Sequence, residues 1–324
     1  MTALVTSIAR MQRRWPVLQL LALVLLFVYG SATLDGFAGT QSIRPMLVLA
    51  ALLGLAAAGQ TLVIIVGGLD FSVAGFIALG AIMVSELCGT YHWAFPFALA
   101  LIVAIAATLG GAAGWICYRY RIASLIVTLA MGSIAAGGVV AWTHGTVTGA
   151  PPAFLSDIVG PNATTLGLSV SPIVAIWVLF AGAMAVLLHR TRAGRWTYAT
   201  GASSRAASLA LVPTGGVWAA VFAASATMSA LVGILLAGFS GATQTLGDPY
   251  LFEGLTAVIL GGTAFMGARG DYTHTVVGAL MLTELTTILV GRGYDPADQQ
   301  IIFGVLILLA VAGYGRSDRL RDRV

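Results

Sequence analysis

The chain has 324 residues, 59% of them apolar and 9% charged, with a mean hydropathy of +0.96. No water-facing globular surface carries that balance, so most of this surface has lipid for its solvent. All 16 basic residues are arginine. The missing lysine excludes a P-loop, whose lysine reaches the β and γ phosphates, and it excludes Schiff-base and pyridoxal chemistry, which need an amine.

In chain order, Arg13 and Arg14 precede an apolar run from Val17 to Leu34. The run is long enough to span a bilayer and no cleavage site follows it, so a retained first helix is expected. Uncharged stretches continue at 45–69, 87–118, 122–156, 158–188 and 206–247. Splitting the apolar sequence at its turn residues predicts about ten helices, at 17–34, 46–66, 72–90, 93–117, 122–142, 170–188, 217–238, 250–265, 273–291 and 299–314. The 40 glycines sit inside these apolar runs, where small residues let membrane helices approach closely.

Arginine placement gives the orientation, because basic residues remain on the cytoplasmic side of short loops. With the N terminus inside, 14 of the 16 arginines face the cytoplasm, and Arg44 and Arg292 lie outside. The expected fold is therefore all-α and polytopic, a single transmembrane domain over residues 1–324 with both termini cytoplasmic. Its main cytoplasmic loop runs over about 189–216 and its longest outer loop over about 143–169. The net charge of +4 follows from this topology and implies no nucleic-acid partner. "TLVIIVGGLDFSVAGFIALGA" from Thr61 and "LTAVILGGTAFMGARGDYTHTVVGAL" from Leu255 echo one another, which suggests a parallel internal repeat.

Catalytic groupings are thin. His92, His144, His189 and His274 fall in different segments, and HExxH, CxxC and GxSxG patterns are missing, so neither a metal site nor a bound cofactor is expected. Cys88 and Cys117 are expected near opposite ends of one span, too far apart for a disulfide. Glu284, in "GALMLTELTTILVG", is expected deep in the membrane. An acid there is costly, and it serves either as a pathway or gate residue, hydrogen-bonding the solute or a neighbouring helix through Thr283, Thr286 or Thr287, or as a helix-packing hydrogen bond. Ion-coupled secondary transport of a small polar solute is the alternative that such an acid keeps open. Asp70, in "GGLDFSVAG", is expected at the cytoplasmic end of the second helix, with Asp70 or Ser72 capping the next one. Loop 189–216 contains a candidate amphipathic helix from about Ser203 to Val212, capped by Ser203 or Ser204 and ended by Pro213 and Gly215. Such a helix either inserts into the groove of a cytoplasmic partner or rests on anionic lipid.

Three stretches in order, "GQTLVIIVGGLDFSVAGFIALGA", "GRWTYATGASSRAASLALV" and "LTAVILGGTAFMGARGDYTHTVVGAL", resemble the permease subunits of bacterial ribose, xylose, arabinose and galactose type ABC importers. The resemblance covers nearly the whole chain. It implies import of a monosaccharide or related solute by alternating access in the bacterial inner membrane. Implied partners are cytoplasmic ATPase subunits that carry ATP and Mg, a second permease copy or paralogue, and a periplasmic or lipid-anchored solute-binding protein. On this likeness Gly201, Ser204, Arg205, Ala206 and Ala207 form the ATPase-coupling segment. Gly67, Gly68, Asp70, Ser72, Gly261, Gly262, Gly267, Arg269 and Gly270 form the inner glycine turns. The chain departs from the family pattern at Phe71, where leucine is usual, at Ala268, where glycine is usual, and in having serines in the coupling loop where the family has an asparagine.

Overall fold

A computed structural model describes residues 16–263 and 267–319. Arg10, Arg13, Arg14, Arg321 and Arg323, and the end of the helix expected at 250–265, lie outside them. The described residues form α1 (Val17–Thr33), α2 (Thr40–Ile65), α3 (Val73–Ser85), α4 (Phe95–Tyr120), α5 (Ser124–Trp142), α6 (Ala153–Val159) and α7 (Pro172–Arg190). They continue with α8 (Arg192–Ala202), α9 (Ser204–Leu209), α10 (Thr214–Ser240), α11 (Asp248–Leu260), α12 (Tyr272–Gly291) and α13 (Pro296–Arg319). A π turn, Glu86–Thr90, extends α3. Among the described residues there is no strand, only an isolated bridge between Thr165 and Leu168.

Each of the ten expected segments is helical. Among the described residues, seven helices are long and apolar enough to cross a membrane: α2, α3 with its π turn, α4, α5, α7, α10 and α12. α1, with 17 residues, is shorter. α11 has only 13 residues, about 20 Å of helix against a hydrocarbon core of about 30 Å.

The helices are apolar all round, so burial rather than pattern sorts them. α2 is enclosed, every residue from Ala50 to Ile65 being buried. α10 is the hub against which α2, α3 and α4 pack. At the α3–α10 crossing, a Cβ on Gly80 would lie 2.0 Å from the Ala230 carbonyl oxygen and one on Gly233 2.1 Å from that of Ile77. Backbone meets backbone there, a contact that only glycine permits. Phe97, Ile126 and Leu179 point outward on α4, α5 and α7, as lipid-facing residues do.

Three local expectations change. Cys88 belongs to the π turn after α3 and Cys117 to α4, on different helices, and both are free. Loop 189–216 holds two helices rather than one: α8 was not expected, and α9 covers six residues of the expected Ser203–Val212. Ser203 does cap α9, its Oγ accepting from Ala206 N at 3.2 Å. Neither Asp70 nor Ser72 caps α3 through its side chain. Instead Asp70 Oδ1 accepts from the amide of Ser72 at 2.8 Å and from the Ser72 hydroxyl, which folds the turn back on itself.

Candidate functional site

The segment joining α2 to α3 is extended, and α5 supplies its hydrogen bonds. Leu69 N donates to Ser124 Oγ (2.8 Å), at the first residue of α5, and Phe71 N donates to Thr128 Oγ1 (3.0 Å), one turn further in. Ser72 then lies against Gly132, another turn along. The chain thus climbs about 12 Å of α5 before α3 begins. Irregular backbone survives at such depth only where protein replaces the missing helix bonds, and the Ser124 and Thr128 hydroxyls do so. Asp70 is buried inside this segment, not at a helix end. Its carbonyl accepts from Gln60 Nε2 at 3.5 Å.

The lower part of the segment meets two other motifs. Gly67 and Gly267 both take left-handed backbone, with φ of +86° and +81°. Ala268 N donates to the Ile65 carbonyl at 2.9 Å, which ties the second glycine turn to the end of α2. Gly201, in α8, closes the junction: a Cβ on it would lie 1.9 Å from Ile65 O and 3.0 Å from Ala268 N. Tyr198 of α8 donates to the Gly270 carbonyl at 2.6 Å. Burial, with the carboxylate of Asp271 nearby, pushes the Tyr198 phenol up to about 12, so it keeps its donor proton at neutral pH. Asp271 caps α12 by accepting from Thr273 N (3.1 Å) and meets His189 Nε2 at 2.8 Å. Gly261 ends α11 against the His274 carbonyl, and Gly262 follows with φ of +102°. Arg269 is exposed beside this turn.

An open cleft of about 1290 Å³ adjoins the junction, lined among others by Gly67, Gly68, Arg119, Arg121, Ser204 and Arg205. Beyond it α9 presents Arg205, Ala206 and Leu209 (80% exposed), and Leu211 (91%) follows it, while Ala207 packs inward.

At the other end of the bundle a second cleft, about 490 Å³, lies between α2, α11 and α12. Thr287 lines it, and Glu284 does not. Glu284 is 3% exposed and makes no hydrogen bond among the described residues, its Oε2 fully buried without a partner. The expected bonds to neighbouring threonines do not form, because Thr286 and Thr287 donate to their own helix, to Leu282 O (2.9 Å) and Thr283 O (2.8 Å). The acid that lines this cleft is Glu253.

The family model described as branched-chain amino acid transport system / permease component matches residues 42–311. The chain belongs to this permease family. The permease is 30% identical over 294 residues to the ribose import permease protein RbsC of Escherichia coli, covering 90% of this chain and 91% of that one. It is 32% identical over 306 residues to RbsC of Bacillus subtilis, at 93% and 92% coverage. It is 29% identical to the fructose import permease protein FrcC of Rhizobium meliloti over 301 residues, at 90% and 83%. No solved structure matches the permease significantly.

The three motifs singled out in the sequence thus come together, while the gate pair splits, with Thr287 lining the second cleft and Glu284 buried away from it. Sequence reasoning missed Glu253 because it placed this residue in the first turn of a full-length helix. The structure starts α11 deep: a Cβ on Gly247, just ahead of α11, would lie 2.3 Å from the carbonyl oxygen of Ala74, the second residue of α3.

Proposed function

We propose that this permease is the membrane subunit of an ATP-driven importer of a monosaccharide or a related sugar-like solute. The observation that carries the reading is the convergence of both glycine turns on Gly201 of the cytoplasmic loop, with Arg205, Leu209 and Leu211 presented beyond it. Exposed leucines beside an arginine suit the groove of a soluble partner, and that partner carries ATP and Mg. The relatives named as ribose and fructose import permeases support the solute class.

On this reading the chain crosses the bacterial inner membrane ten times with both termini cytoplasmic and works as a dimer of permeases. The outer loop that exposes Leu166 and Leu168 meets a solute-binding protein. Closure of the ATPases moves α8 and α9. The move passes through Gly201 to Ile65 and Ala268, and from the Asp70 segment through Gln60 to Gly254 of α11, where a Cβ would lie 2.5 Å from Gln60 Oε1. A contiguous path of packed backbone suits a rocking transition between inward and outward states.

Arg205→Glu in the reconstituted complex should abolish solute-stimulated ATPase activity with membrane insertion intact. Unchanged stimulation would remove α9 from the coupling route. Uptake that persists without any ATPase and collapses with an uncoupler would favour a secondary transporter instead.

A further inference from the structure

Resting on that reading, we propose that the cleft between α2, α11 and α12 is a solute station for a neutral polyhydroxylated molecule, with the Glu253 carboxylate as its main hydrogen-bond acceptor. The cleft reaches from Gln41, in the first turn of α2, to Leu53, twelve residues and about 18 Å deeper. That depth is more than half of a hydrocarbon core of about 30 Å. Its volume of about 490 Å³ falls in the range of about 300–1,000 Å³ usual for small-molecule sites.

Glu253 stands on the cleft wall with no hydrogen-bond or ion-pair partner among the described residues. An ionisable group at this depth, facing a cavity and lacking a protein partner, is placed to meet something that enters. The groups around it are those a sugar needs. Thr286 and Thr287 line the cleft and have spent their protons on helix carbonyls, which leaves their oxygens only the acceptor role toward solute hydroxyls. Pro45, inside α2, has no amide hydrogen, so the Gln41 carbonyl lacks its helix partner at the cleft mouth. The Tyr250 ring and Leu49 supply a flat, apolar wall for the C–H face of a ring. One carboxylate amid neutral acceptors matches a neutral polyol, which donates through several hydroxyls. It repels anions, and Glu253 is the one acid among the lining residues, where a divalent cation asks for several oxygen ligands with more charge.

The test uses the full complex with its ATPase and binding protein in proteoliposomes, assayed for ATP-dependent uptake of radiolabelled D-ribose, D-xylose, L-arabinose, D-fructose, D-galactose and xylitol. Glu253→Gln and Glu253→Ala should lower uptake of the transported probe at least tenfold, with the glutamine less severe, because its amide keeps one acceptor. Both variants should assemble in parental yield. Glu284→Gln, sealed from the cleft, should transport like the parent. Parental uptake by Glu253→Ala, or equal losses at Glu284 and Glu253, overturns the site while leaving the import reading intact. Failure of the unaltered complex to take up any probe overturns the import reading, and the site with it. Uptake that follows a sodium or proton gradient instead of ATP assigns the carboxylate to a coupling ion and overturns the solute role.

Discussion

At the scale of single residues, Ala268 shows how a departure from a family pattern is read physically. The resemblance implies a glycine where Ala268 stands, and the backbone there takes the left-handed conformation that favours glycine, with φ of +59°. The bond from Ala268 N to Ile65 O holds it there, so the strain is maintained by the junction. A non-glycine residue in that region costs about 1 kcal/mol. Ala268→Gly should therefore raise the thermal midpoint of the purified permease by about 1–3 °C, read by thermal unfolding in detergent. No rise would mean that the turn relaxes without cost. Sequence alone marked Ala268 as unusual, but it gave no reason for a glycine there, because φ is set by what the turn must touch.

At the scale of elements, the α2–α3 connection departs most from expectation. Read in one dimension, "VGGLDFSVAG" looks like a turn at a membrane surface, and its Gly-Gly pair was legible as a break. Its path along α5 was not, because the hydroxyls that make the path possible sit more than fifty residues away, at Ser124 and Thr128. Thr128→Val should leave the Phe71 amide buried and unpaired at a cost of about 1–3 kcal/mol, whereas Thr128→Ser keeps the acceptor and should cost little. Denaturation of the two variants side by side checks this, and equal stabilities would show that the segment finds another acceptor. The same logic explains α11. Apolarity predicted a helix, but its 13 residues make sense only once Gly247 is seen packed on Ala74 inside the bundle.

At the scale of the whole molecule, orientation is the property on which every functional assignment depends. Arginine bias puts loop 189–216 inside and loop 143–169 outside. In a background of Cys88→Ala and Cys117→Ala, Leu166→Cys should react with a membrane-impermeant maleimide on intact spheroplasts. Leu211→Cys should react only after the membrane is opened. The reverse pattern would invert the molecule and exchange the roles of its two clefts. Both leucines are almost fully exposed, at 100% and 91%, so access to the reagent depends on the side of the membrane alone.

The sequence by itself determined the solvent, the helical class, the ten apolar segments and the three motifs that mark the family, because each depends on quantities summed along the chain. Only the tertiary structure decided which helices are enclosed, since lipid and protein interior are equally apolar and a helix hydrophobic all round carries no sign of its inward face. It alone joined Gly67, Gly201 and Gly267, because close approach is a property of pairs of backbones. It also showed that Glu253 lines a cleft while Glu284 is buried away from it. Both lie in apolar helices, and whether a carboxylate meets a cavity or a wall depends on the neighbouring helices, not on its own.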